Sequence, residues 1–86
     1  MRHITTERIG GIEPMLDNIR ALDGLTEKGP GRFYRKSQAF LHFHEHGDDI
    51  FADVRLQPGP FERVRVTTKA EQRALVSRIR RCLGET

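Results

Sequence analysis

The chain is poor in several residue types, and each scarcity excludes something. It has one cysteine, Cys82, among 86 residues. No internal disulfide can form, and a reducing cytoplasm is the expected setting. Tryptophan is absent and tyrosine occurs once, so any aromatic surface rests on phenylalanine and histidine. No stretch approaches the roughly 20 consecutive apolar residues that a membrane helix requires. The opening residues, Met1 to Arg8, hold no apolar run of the signal-peptide kind. There is no internal repeat and no low-complexity tract. Excess charge is also small: 15 Lys and Arg against 12 Asp and Glu give +3. A balance this mild permits an acidic partner such as nucleic acid without demanding one.

What is present describes one small domain, residues 1–86, with residues 1–11 a flexible or short-strand segment. Hydrophobic residues make up 36% and charged residues 31%, the composition of a folded soluble chain. A chain this short buries only about 60–65% of its unfolded surface, enough for one core but not for a deep enclosed site.

Apolar periodicity supplies the elements. Ile12, Met15, Leu16, Ile19 and Leu22 fall on one face of a helix over about 13–23, with Pro14 in its first turn and Gly24 as its stop. Residues 25–31, which include Gly29-Pro30-Gly31, read as a loop. A short strand at 32–35 turns at Lys36-Ser37 into a strand at 38–45. Gly47-Asp48 turns that into a strand at 50–56, and Pro58-Gly59-Pro60 leads to a fourth at 61–67. Thr68 and Glu71 form a capping box for a final helix that carries Leu75, Val76, Ile79, Cys82 and Leu83 on one face. The expected fold class is α+β: helix, three- or four-stranded antiparallel β-meander, C-terminal helix, both helices on one face of the sheet.

Register follows from keeping apolar against apolar. Turning at Gly47-Asp48 sets Leu41 opposite Val54, Phe43 opposite Ala52 and His42 opposite Asp53. A three-residue loop in the next hairpin sets Val54 opposite Val64, Asp53 opposite Arg65 and Arg55 opposite Arg63. Ala39, Leu41, Phe43, Ile50, Ala52, Val54, Leu56, Val64 and Val66 then face the helices. Phe40, His42, His44, Phe51, Asp53, Arg55, Arg63 and Arg65, with Phe61 beside them, populate the open face.

That face supports several chemistries. The run His42-Phe43-His44-Glu45-His46 puts imidazoles on one strand face at intervals of about 6.6 Å, and zinc binds such nitrogens at about 2.1 Å. A metal site would use His42, His44 and Asp53; His46, about 13 Å from His42, is too far along a straight strand. The same histidines equally suit a polar, solvated strand face. A catalytic reading makes His42 a base oriented by Asp53, but Ser37 sits in a turn and Cys82 faces the helix core, so no nucleophile adjoins it. Phe40 and Phe51 among Arg55, Arg63 and Arg65, with Arg32, Arg35 and Lys36 at the edge, resemble surfaces that stack single-stranded nucleic acid, though Asp53 and Glu62 dilute the charge. Exposed aromatics of this kind more often mark a homodimer or a protein partner. The leading expectation is a non-enzymatic binding module using the open face. A zinc site and a nucleic-acid surface are the alternatives.

The segments Leu22-Asp23-Gly24-Leu25-Thr26-Glu27, Gly31 to Glu45 and Phe51-Ala52-Asp53-Val54-Arg55 resemble small bacterial proteins of the YjbR/MmcQ-like α+β group. The similarity spans roughly residues 12–68, with Asp23 where that group usually has proline. It implies an α+β fold and DNA binding of the kind suggested from that group's shape, and it implies no catalytic or cofactor residues.

Overall fold

A computed structural model describes residues 2–84. In chain order it contains β1 (Arg2–His3), α1 (Thr6–Gly10), α2 (Glu13–Arg20), β2 (Thr26–Glu27), β3 (Phe33–Arg35), β4 (Gln38–His46), β5 (Asp49–Val54), β6 (Glu62–Arg65) and α3 (Lys69–Cys82). The sheet is antiparallel, ordered β2-β3-β4-β5-β6, with β1 added to β4 beside β3. This is the expected α+β meander with a closing helix. No helix among the described residues is long and apolar enough to cross a membrane.

Two helices, α1 and α3, begin where a threonine side chain satisfies a free amide, whereas α2 starts at Ile12 without a side-chain cap. Thr5 Oγ1 accepts from the Arg8 amide at the start of α1. At α3 the capping box is complete: Glu71 N donates to Thr68 Oγ1 at 3.1 Å and Thr68 N to Glu71 Oε1 at 2.9 Å. Together the helices bury Ile9, Ile12, Leu16, Ile19, Leu75 and Ile79 against Leu41, Phe43, Ala52, Val54 and Val66 of the sheet side. One face of the sheet is thereby sealed and the other left free.

The β4–β5 register is as expected: Leu41 faces Val54, His42 faces Asp53 and Phe43 faces Ala52. The β5–β6 register differs by two. Val54 faces Glu62, Asp53 faces Arg63 and Ala52 faces Val64, so the pairings of Val54 with Val64, Asp53 with Arg65 and Arg55 with Arg63 do not occur. The connection runs from Arg55 to Phe61, because Pro58 and Pro60 lack the amide a tight hairpin needs. A shift of two leaves every side chain on its expected face.

The β3–β4 pairing holds a larger correction. Phe33 pairs with Leu41 but Tyr34 pairs with Ala39, leaving Phe40 as an extra residue in a β-bulge. The bulge interrupts the alternation. Phe40 turns inward and is only 3% exposed, packed in the core. Ala39, expected beneath the helices, instead lines the open side with Tyr34 and His42. Helix α1 and strand β2 lie outside the expected set, while β1 falls in the segment expected to be flexible or a short strand. The N-terminal segment is ordered as β1 and α1, and β2 lies within the expected loop.

Candidate metal centre

β4 and β5 place three donor groups together on the uncovered face. His42 and His44 are alternate residues of β4, so both project from the same side, and Asp53 of β5 sits opposite His42. The His42 Nε2 lies 3.3 Å from Asp53 Oδ2, and the His44 Nε2 lies 3.0 Å from the same oxygen. One donor atom from each residue lies within 4.8 Å of the others. A tetrahedral zinc ion with bonds of about 2.1 Å separates its ligand atoms by about 3.4 Å. The three donors therefore stand close to the spacing such an ion imposes.

β1 brings a third imidazole. His3 pairs with His44 across the β1–β4 ladder, and the two rings stack at 4.9 Å. The His42 ring meets His44 edge-on at 4.9 Å and Phe61 edge-on at 5.0 Å. The sequence does not mark His3 as a site residue, because a two-residue strand has no periodicity to reveal it. The only available signal was a histidine beside the apolar Ile4, short of the Gly10-Gly11 break.

The electrostatics favour the metal-ready protonation state. Asp53 is held below the usual carboxylate range, first by hydrogen bonds from Arg63 and then by the charges of Arg63, His44 and His42, against the opposing effect of burial. His42 is held below the usual imidazole range by burial, which outweighs the attraction of Asp53; His44 and His3 push the same way as burial. At neutral pH the cluster thus offers an ionised carboxylate and a neutral His42 imidazole, the forms that coordinate cations.

Arg63 is the competing partner. Its Nε donates to Asp53 Oδ1 at 2.8 Å and its Nη2 to Oδ2 at 3.0 Å. Half of the Arg63 side chain is exposed, so this fork can open. Arg63 thus engages both carboxylate oxygens, and Oδ2, the one both histidines approach, is open to an ion only once the Nη2 bond gives way.

The other expected surface residues are dispersed. Phe51 is half-buried and stands between His44 and Arg65 in register. Arg65 is tied to Asp49 at 2.9 Å and Glu71 at 2.7 Å. Arg55 lies over the Phe61 ring, 4.3 Å from its centroid, rather than beside Arg63. Phe40 is in the core, and His46 is exposed at the hairpin end opposite Asp49. Compared with protein-family models, with curated proteins and with solved structures, the chain matches none.

Proposed function

We propose that the chain is a small non-enzymatic binding module whose open sheet face holds a divalent transition metal, with zinc as the ion its donors suit best. The observation that carries this reading is the convergence of the His42 and His44 Nε2 atoms on one Asp53 oxygen. Two imidazoles and a carboxylate match borderline-soft ions such as zinc. Three protein ligands leave a coordination position for water or for a ligand presented by a partner.

Nucleic acid is a poorer fit to this face. Arg63 and Arg65 are engaged by Asp53, Asp49 and Glu71, so two of the cations on this face are already neutralised. The DNA binding implied by the YjbR/MmcQ-like resemblance would have to use other cations. A homodimer built on the same face has support in Phe51 and Phe61, both half-buried beside the cluster. Its signature is a concentration-dependent mass that Phe51→Asp abolishes. The single cysteine suits a bacterial cytoplasm as the site of action.

Calorimetric titration of the untagged protein with zinc tests the metal reading. One equivalent should bind. His44→Ala and Asp53→Asn should each weaken binding at least a hundredfold, while Arg65→Ala should retain it. Equal zinc affinity in wild type and His44→Ala would refute the assignment.

A further inference from the structure

The cavity between the β3–β4 turn and the β5–β6 loop has no role in the metal centre. Its volume is about 340 Å³, and Arg35, Lys36 and Arg55 line it together with Gln38 and Phe40. No acidic side chain contributes to its wall. Elsewhere the pattern is the reverse: Arg63 and Arg65 of β6 and Arg78 of α3 each have a carboxylate within 3.0 Å. Among the described residues, none of the three cavity cations forms an ion pair with a carboxylate. The Arg35 guanidinium donates only to the weak acceptor Cys82 Sγ, at 3.5 Å.

Arg55 gives the second observation. Its Nε is buried and has no hydrogen-bond partner in the protein. A buried donor on a charged group normally has an acceptor, and leaving it unpaired costs its desolvation. The backbone around Arg55 is fixed, because its amide donates to the Phe40 carbonyl at 2.9 Å. Its guanidinium rests on the Phe61 ring at 4.3 Å, which orients the plane and removes it from bulk water. The opposite wall is held by a two-residue turn in which Lys36 (φ 51°) and Ser37 (φ 70°) both adopt the left-handed conformation. That geometry is ordinarily supplied by Asn-Gly. A lysine in this conformation is sterically unfavourable, yet it keeps Lys36 at the mouth of the cavity.

We propose that this cavity is an anion site for a phosphate group, free or as the monoester of a small molecule, bound by Arg55, Arg35 and Lys36. Three cations without counter-ions more than offset the charge of a phosphate dianion. Guanidinium forks match its oxygens in geometry, and the volume admits a phosphoryl group with a modest organic substituent. The Phe40 bulge makes the site: it sends the aromatic ring inward and leaves its carbonyl to anchor Arg55. The site shares no ligand with the zinc cluster and does not depend on it.

The test is an NMR titration of the untagged full chain at constant ionic strength. Inorganic phosphate, phenyl phosphate and a short single-stranded oligonucleotide serve as separate probes. Inorganic phosphate or phenyl phosphate should bind saturably at one equivalent, with amide shifts centred on residues 35–38 and 55–59, and a chelator should not alter them. Tighter phenyl phosphate identifies a monoester as the ligand; equal affinity identifies the bare phosphate group. Arg55→Gln and Lys36→Gln should each weaken binding at least tenfold, and Arg80→Gln on α3 should leave it unchanged. Lys36 is exposed, so its variant separates loss of binding from loss of folding. No saturable phosphate binding, binding indifferent to Lys36→Gln, or an oligonucleotide that outcompetes phenyl phosphate would each overturn the proposal.

Discussion

Asp53 and Arg63 face each other across β5 and β6 and are joined by two hydrogen bonds, of 2.8 and 3.0 Å. This fork places a positive charge next to the oxygen on which both histidines converge. A divalent ion bound at this oxygen is repelled by the neighbouring guanidinium. Arg63→Ala should therefore raise zinc affinity about tenfold while lowering the stability of the metal-free protein. Calorimetry with zinc and urea unfolding with chelator present measure the two effects. A fall in zinc affinity would make Arg63 a support of the site rather than a competitor.

Phe40 and Phe51 should respond very differently to truncation. Phe40 is packed in the core at 3% exposure, and removing a buried phenylalanine side chain costs about 3–5 kcal/mol. Phe51 is half-buried on the open face, and Phe51→Ala should cost about 1 kcal/mol. In a domain this small, Phe40→Ala should leave a substantial unfolded fraction at 37 °C. Urea denaturation of both variants decides the matter; similar losses would contradict the bulge.

Arg20 gathers Glu13, Asp17 and Glu27 around one guanidinium, with the Glu27 bond the shortest at 2.7 Å. Glu27 also accepts from the Gly31 amide at 3.0 Å. The hydrogen bond from Arg20 holds the Glu27 carboxyl below its ordinary value of 4.5, against burial. A group whose folded pKa is depressed stabilises fully above its unfolded value, and that stability is lost as pH falls through the folded one. Wild type should thus lose stability below about pH 4.5, while Glu27→Gln, weaker by about 1 kcal/mol at neutral pH, should lose less of it. Thermal melts of both proteins across pH 3–7 give the comparison, and parallel profiles would rule the pair out as an acid-sensitive contact.

Replacing Lys36-Ser37 by Asn-Gly should stabilise the fold by about 1 kcal/mol, since both positions have positive φ. The same double variant removes one cavity cation and should weaken phosphate binding. A gain in stability with a loss of binding would show strain retained for function. A loss of stability would mean that the turn is not strained.

Much of this was legible beforehand, and the failures have physical causes. Alternation over 38–56, the Gly47-Asp48 turn and the Thr68–Glu71 box located the central hairpin and the last helix. The same alternation brought His42 and His44 to Asp53. The β5–β6 register was misjudged because two prolines lengthen the loop, yet the faces survived because the error was even. Phe40 was misplaced because a bulge is fixed by tertiary packing; the adjacent apolar pair Phe40-Leu41 was its only trace. His3 was invisible because β1 has two residues and α1 has five, too few to show periodicity or to be stable alone.

The proposed metal centre rests on His42, His44 and Asp53. Native mass spectrometry of the untagged protein, with and without a chelator, tests it most directly, because mass and bound metal are read together. One chelatable zinc per chain is expected, absent in His44→Ala and Asp53→Asn and present in Arg65→Ala. A chain that stays metal-free at equimolar zinc, or a His44→Ala protein that keeps its zinc, would contradict it and leave the histidines as the polar surface of an otherwise ordinary sheet.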